Sequence, residues 1–292
     1  MPDLWLATLE QLIARASCDL PADVEAALRA GRAAEAAGGN AAAAFDTLLE
    51  NVDLARRCRQ PLCQDTGAIL LWVTAPPGVS QDAFRRAAEA AVASATRAGL
   101  LRQNSVDAIT GHNSGNNLGP GNPTIHWHEE AGRQTVEVSL LLKGGGSENV
   151  GAQYALPDSS LPAGRDLEGV RRCLLHAVHR AQGNGCAPGI LGVCIGGDRA
   201  SGYAESKRQL LRPLGVRSPH PELAALEERV LAEANTLGIG PMGYGGRTTL
   251  LGVAIGALNR VPASYFVSIS YLCWACRHHR VEATPDGRQL AL

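Results

Sequence analysis

The chain has 292 residues, with 27 Lys and Arg against 28 Asp and Glu, a formal net charge of -1 and only 4% aromatics. So balanced a charge sets up no field for a polyanion, and so few aromatics leave little for bases to stack on, which argues against a nucleic-acid partner. Hydrophobic residues make up 45%, yet no run approaches the ~20 apolar residues of a membrane span. The start MPDLWLATLEQLIARASCDL lacks the apolar centre and cleavage site of a signal peptide, so a soluble, cytoplasmic protein is expected.

In chain order, residues 1–57 are Ala-rich and read as helices, with Pro21 opening the second and Gly38-Gly39-Asn40 separating it from the third. Pro61 stops the helical pattern, and Pro61-Leu62-Cys63-Gln64-Asp65-Thr66-Gly67 forms a turn-rich loop that leads into the strand AILLWVTA. Residues 81–101 predict an amphipathic helix. The following polar segment, 102–123, has nothing to bury, and a loop of that length in a compact chain points to function or disorder. Residues 124–130 and 135–143 read as strands, joined through Ala131-Gly132-Arg133 as an antiparallel hairpin. Further on, 168–182 predicts a helix, 190–197 a buried strand and 222–237 a helix stopped at Gly238. Two strands, TTLLGVAIGAL and YFVSISYLCW, complete the pattern.

No repeat period or linker composition is visible. The expectation is a mixed α/β (α+β) fold in a single large domain, 1–292. Its mainly helical portion, 1–57, packs on a mixed, partly antiparallel sheet contributed by 58–280. The hairpin argues against a doubly wound nucleotide fold.

Gly144-Gly145-Gly146-Ser147 follows a strand, and successive glycine N–H groups can converge on an anion. The loop lacks the Lys-Ser/Thr ending of a Walker motif and the spacing of a dinucleotide fingerprint. A substrate carboxylate bound by these donors and a purely structural turn stay as the two readings. Cys273-Trp274-Ala275-Cys276 is half of a structural zinc site, but no second Cys or His pair has the spacing to close it, since His278 and His279 are adjacent.

The eight cysteines are too sparse for a disulfide scaffold, so in a reducing compartment each is a core residue, a reactive thiol or a metal ligand. Cys194 lies in the apolar GVCIGG, and Cys18, Cys58 and Cys173 lie on helical stretches, where a thiol reads as a small hydrophobe. Cys63 and Cys186 lie instead in polar loops, and Cys273 ends a strand. Three thiolates on a metal cluster leave one coordination position open, the arrangement for Lewis-acid chemistry.

QDTG after Cys63, LRQNSV, NSGNNLGPGNP, LLLKGGGSEN, GNGCAPGILGVCIGG, the segment from ELAALEERV to LLGVAI, and SYLCWACR together resemble the iron-sulfur-dependent class I fumarate hydratases and L(+)-tartrate dehydratases. The likeness is to the alpha subunit, equivalent to the N-terminal domain of the single-chain enzymes, and spans roughly residues 40–280. It implies a 4Fe-4S cluster held by Cys63, Cys186 and Cys273. Cys194 and Cys276 fall where the family needs no cysteine. By the same matching, Gln64, Asp65, Arg102 and Gly146 line the substrate pocket.

Chemistry supports those roles. Dehydrating a 2-hydroxy diacid means moving a proton beside a carboxylate and expelling hydroxide, a poor leaving group, which an open iron eases as a Lewis acid. Arg102 offers a planar fork to a carboxylate and Gly146 a backbone N–H. Asp65 is placed to protonate the departing hydroxyl; an Asx turn capping its own loop is the structural reading, and the two are compatible.

One departure stands out. The family's His-Pro-Ala-Ser, with an active-site histidine, is here Val261-Pro262-Ala263-Ser264, and valine handles no proton. The family's C-terminal swivelling domain, with the remaining catalytic groups, is expected on a separate chain. The expectation is therefore the alpha subunit of a hydro-lyase for fumarate/malate or tartrate/oxaloacetate. It would work with a separately encoded beta subunit and form an alpha-alpha dimer. Val261 keeps two rivals open: a hydro-lyase for another hydroxy-acid, and a non-catalytic iron-sulfur or zinc sensor or assembly protein.

Overall fold

The computed structural model describes residues 4–290; Met1–Asp3 and Ala291–Leu292, the ends of the expected 1–292 span, lie outside the described residues. In chain order the elements begin with α1 (Leu4–Cys18), α2 (Ala22–Ala34), α3 (Asn40–Cys58), β1 (Ala68–Ala75), α4 (Gln81–Arg97), β2 (Thr124–Glu129), β3 (Val136–Lys143) and α5 (Gly145–Asn149). There follow β4 (Ala152–Ala155), α6 (Leu167–Ala181), β5 (Gly189–Gly196), α7 (Arg199–Gln209), α8 (Pro221–Asn235), a 3-10 turn (Pro241–Gly243), β6 (Leu250–Leu258), β7 (Phe266–Leu272) and β8 (Arg277–Ala283). Helices with two mixed sheets make the mixed α/β class expected from the sequence. Among the described residues no helix is long and apolar enough to cross a membrane.

The chain forms two compact units. The first takes the N-terminal segment through Pro21, then Glu50–Gly145, and the C-terminal segment from Ala275; the second takes Ala22–Leu49 and Gly146–Trp274.

In the first unit α1 presents Leu9, Leu12, Ile13 and Ala16 along one face, and α4, capped by Ser80, presents Phe84, Ala88, Ala91 and Val92. Both faces close on a four-stranded sheet in the order β2-β1-β3-β8, so part of the N-terminal helical portion does lie on a sheet. The expected hairpin is corrected here. β2 pairs in parallel with β1, β1 pairs antiparallel with β3, and β1 therefore lies between the two strands thought to be neighbours. The reason is burial: β1 and β3 are apolar along most of their length and take the middle, whereas the half-exposed TIHWHE of β2 suits an edge. Helix α4 supplies the crossover that a parallel β1–β2 pair requires. The connection after β2 steps over the end of β1, where the Glu130 N–H bonds the Ala75 carbonyl at 2.9 Å.

In the second unit the sheet order is β4-β7-β5-β6, with β5–β6 parallel and the other pairs antiparallel. Helices α6 and α8 cover it, contributing Val170, Leu174, Val178, Leu226 and Val230 to the core. Two elements carry no signal that periodicity could read. Helix α7, RASGYAESKRQ, has no apolar stripe and is announced only by the capping box of Asp198 with Ser201. Strand β8, RHHRVEA, buries Arg277, His279, Val281 and Ala283 in strict alternation, so half of its inward positions are polar. The glycine-rich stretch, for which a structural turn is one of the two readings from sequence, forms the short helix α5.

Candidate functional site

The loop at 61–67 belongs to the first unit and is pinned at both ends. At its start the Leu62 N–H bonds the Ser17 carbonyl at 2.9 Å, and Asn51 Nδ2 donates to the Leu62 carbonyl at 2.9 Å. At its end Gly67 has φ +71, and a Cβ there would lie 2.1 Å from the Lys143 carbonyl oxygen, so only glycine lets the chain pass.

Between these anchors Cys63 is half-buried and its Sγ accepts the Asp65 N–H at 3.5 Å. Asp65 is held on three sides: Oδ1 accepts from Asn104 Nδ2 at 2.8 Å, Oδ2 from the Gly145 N–H at 2.6 Å, and its carbonyl from Arg277 Nη2 at 2.6 Å. The carboxylate thus serves Asn104 and Gly145 rather than capping its own loop. One N–H of the glycine-rich segment is thereby committed to a carboxylate of the protein itself.

The next residue ties in the long polar loop. Thr66 Oγ1 and Asn117 Nδ2 both donate to the Arg102 carbonyl, each at 2.8 Å. The Arg102 backbone is fixed while its exposed guanidinium makes no ion pair or hydrogen bond among the described residues. Gln64 is exposed beside Asp65. Of the sequence-derived candidates, Cys63, Gln64, Asp65 and Arg102 therefore come together. Asn104 and Arg277, which hold Asp65, had no role from sequence alone; both lie inside motif blocks, LRQNSV and SYLCWACR.

The second unit carries Gly146, Cys186 and Cys273. The loop 182–188 folds by short-range bonds, Asn184 N–H to Ala181 at 2.9 Å and Cys186 N–H to Gly183 at 3.0 Å. Cys186 has φ +55, a conformation that costs a non-glycine residue about 1–2 kcal/mol. It is secured by the Trp274 N–H, which bonds the Cys186 carbonyl at 3.2 Å and ties this loop to the segment following Cys273. Cys186 is half-buried and Cys273 buried. Gly146 is exposed, and a Cβ built on it would come 3.8 Å from the Asn184 carbonyl oxygen, beside the Cys186 loop.

Tyr271, only 2% exposed, packs its ring against Gly185 and Gly189 on either side of Cys186. Burial, with smaller contributions from Cys273 and Cys186, holds its phenol proton far above the ordinary range.

All eight cysteines are thiols. Cys173 and Cys194 are buried, and desolvation pushes each thiol up to about 12; burial raises Cys18 as well. These behave as the expected core residues, as does buried Cys276. Cys58 does not: it is the last residue of α3 and is exposed.

Val261 is 65% exposed, in a loop held through its carbonyls by Arg165 (to Ala263, 2.8 Å) and Arg260 (to Pro262, 3.0 Å). Among the described residues no three His, Cys, Asp or Glu side chains gather closely enough for a single metal ion.

The family model described as fumarate hydratase (fumerase) matches residues 7–282. The chain is 46% identical over 286 residues to a Geobacillus stearothermophilus protein assigned as a class I fumarate hydratase, covering 97% of this chain and 55% of the relative. It is 31% identical over 247 residues to the L(+)-tartrate dehydratase subunit alpha of Escherichia coli UTI89, covering 83% of this chain and 78% of the relative. A protein of Methanocaldococcus jannaschii assigned as the same subunit is 32% identical over 271 residues, with 91% and 93% covered. The chain thus spans about half the length of the first relative and most of the length of the other two.

Proposed function

The chain belongs to the fumarate hydratase (fumerase) family, and from that premise we propose that it is the alpha-type part of a 4Fe-4S hydro-lyase. Its substrates would be small dicarboxylates, fumarate and malate or tartrate and oxaloacetate, and its cluster ligands Cys63, Cys186 and Cys273.

The donor set suits such a group. Cys63 and Cys186 are half-buried thiols on loops fixed by backbone bonds, Cys63 already receives an N–H, and the buried hydroxyl of Tyr271, whose ring lies against Gly185 and Gly189 on either side of Cys186, has no partner. A cluster takes one thiolate per iron, so it does not need three donors gathered around one ion. When bound, it supplies an iron with an open coordination position, a Lewis acid towards a hydroxyl and a carboxylate.

The chain's own residues would do the rest. Arg102, with a fixed backbone and an unpaired guanidinium, grips a substrate carboxylate as a bidentate fork. The Gly146 N–H is a second donor for the charge that builds on that carboxylate as the neighbouring carbon loses its proton. Asp65, kept aimed by Asn104, Gly145 and Arg277, is the group placed to pass a proton to the departing hydroxyl. Gln64 lines the same pocket. The observation that carries this reading is a thiol, a pinned carboxylate and an unpaired guanidinium carried on two loops tied by the Thr66–Arg102 bond.

The alpha-subunit names of two relatives support a separately encoded beta-type partner, which would bring the remaining catalytic groups. A second copy of this chain is the other proposed partner, and the cytoplasm the proposed location. Val261 favours a second reading, a hydro-lyase for a different small hydroxy-acid, because the side chain at that position is exposed and handles no proton.

The test is anaerobic reconstitution with iron and sulfide. A brown protein should form whose spectrum shifts with fumarate, malate or tartrate. Cys63→Ser, Cys186→Ser and Cys273→Ser should each lose the cluster, while Cys194→Ser and Cys276→Ser keep it. Normal iron in any of the first three variants, or a spectrum indifferent to every small dicarboxylate and hydroxy-acid, overturns the proposal.

A further inference from the structure

Strand β7 points Val267, Ile269 and Tyr271 to one face, and all three join the core of the second unit. Valine and isoleucine are what such a face calls for. The phenol is not: at 2% exposure its hydroxyl has no hydrogen-bond partner. A buried hydroxyl left unpaired is destabilising, and phenylalanine would fill the same space without that penalty.

The surroundings show that the ring is placed on purpose. A Cβ built on Gly185 would lie 2.5 Å from Tyr271 Cε1, and one on Gly189 would lie 2.1 Å from Cζ and 2.2 Å from the hydroxyl oxygen. The chain forgoes two side chains, on either side of Cys186, so that the phenol can lie flat against the backbone, locked away from solvent. The ring thus lies against the backbone on both sides of Cys186, and Tyr271 stands two residues before Cys273 in the chain.

We propose that Tyr271 is a positioning residue for the iron-sulfur group, donating its hydroxyl hydrogen bond to the ligand sulfur of Cys186 or Cys273. This rests on the cluster reading above and adds to it a residue that touches the ligands rather than the irons. Without the cluster both neighbours are thiols, weak acceptors, and the hydroxyl is a liability. With the cluster both are thiolates, and an O–H···S bond to a charged sulfur is among the stronger kinds. The sign of the tyrosine's contribution therefore reverses on loading.

That reversal is what Tyr271→Phe tests, in the full chain with and without its cluster. Stripped by chelator, the variant should melt at or above the wild-type temperature. Reconstituted, it should lose iron to a chelator roughly tenfold faster, and its reduction potential should move to a more negative value, because the reduced, more negatively charged cluster loses a donor. Equal destabilisation in both states, or unmoved potential and iron retention, overturns the hydrogen bond while leaving the cluster reading intact. Failure of the wild-type chain to take up iron and sulfide overturns both.

Discussion

The two units of this molecule are built on one pairing scheme. From the parallel edge inward, the first sheet runs β2, β1, β3, β8 and the second β6, β5, β7, β4, each with one parallel pair followed by two antiparallel ones. In each, helices join the parallel pair, and the third strand follows directly. The fourth strands are exchanged: β3 leads through α5 into β4 of the second sheet, and β7 leads through Cys273–Cys276 into β8 of the first. Neither sheet is completed by its own stretch of chain. The chain passes from one unit to the other at four places, and two of them fall within LLLKGGGSEN and SYLCWACR. The units differ in what they hold. The first holds the Asp65 carboxylate through Asn104 and the Gly145 N–H and the Arg102 backbone through Thr66 and Asn117, whereas the second pins thiols through backbone bonds and glycine contacts.

The largest expected effect would break the pairing of the two units. Glu227, 1% exposed on α8, accepts from Arg212, from the Ser218 N–H at 3.0 Å and from the edge of β6 at the Ile255 N–H, 2.7 Å. The first unit has no such anchor on its parallel edge strand β2 among the hydrogen bonds described. Glu227→Ala strands Arg212 and two backbone donors, and should cost about 3–5 kcal/mol in denaturant unfolding. Hydrogen exchange should show β6 and α8 opening ahead of β1 and β3. Equal loss in both sheets would mean that the strand exchange welds the units into one cooperative body.

A smaller effect sharpens the contrast at the site. Gly67→Ala combines φ +71 with a clash at 2.1 Å against a backbone atom, worth about 2–4 kcal/mol. Gly38→Ala has φ +77 and nothing within 4 Å, so it isolates the backbone cost. Because Gly67 fixes the Asp65 loop, its variant should also weaken dicarboxylate binding to the reconstituted protein, measured by titrating the cluster spectrum. Gly38→Ala should leave that binding alone.

What could be read beforehand follows from range. Helices α4, α6 and α8 and strands β1, β5, β6 and β7 declare themselves by period and flanking residues. The β2–β3 turn correctly announced opposite strand directions, but no local signal shows that β1 inserts between them. Strand β8 was hidden because its buried Arg277 and His279 look like surface residues until the fold supplies their surroundings. The site divides the same way. Cys63, Asp65 and Arg102 stood out through motif and loop placement, whereas Arg277 reaches the Asp65 carbonyl across 212 residues, and Tyr271 matters only through what it touches.

The smallest effect separates the units by pH. In the first, His279 on β8 is held down to about 4, chiefly by burial and then by Arg15 and His278. It stays neutral in the folded chain, while the unfolded chain takes up a proton below about 6.5. Its contribution is therefore intact above pH 6.5 and falls away as the pH drops towards 4. In the second unit, Cys173 and Cys194 are raised by desolvation from 9.0 to about 12. Their contribution is intact below pH 9 and is lost as the pH climbs towards 12, because only the unfolded chain ionises there. The first unit should thus carry the acid edge of the stability profile and the second the alkaline edge. Between pH 6.5 and 5 the His279 effect is about 1–2 kcal/mol, and His279→Gln should flatten that limb of a melting-temperature profile while leaving the alkaline limb unchanged. Cys173→Ala should do the converse. An acid limb with the same slope in His279→Gln would assign the acid sensitivity to the carboxylates instead.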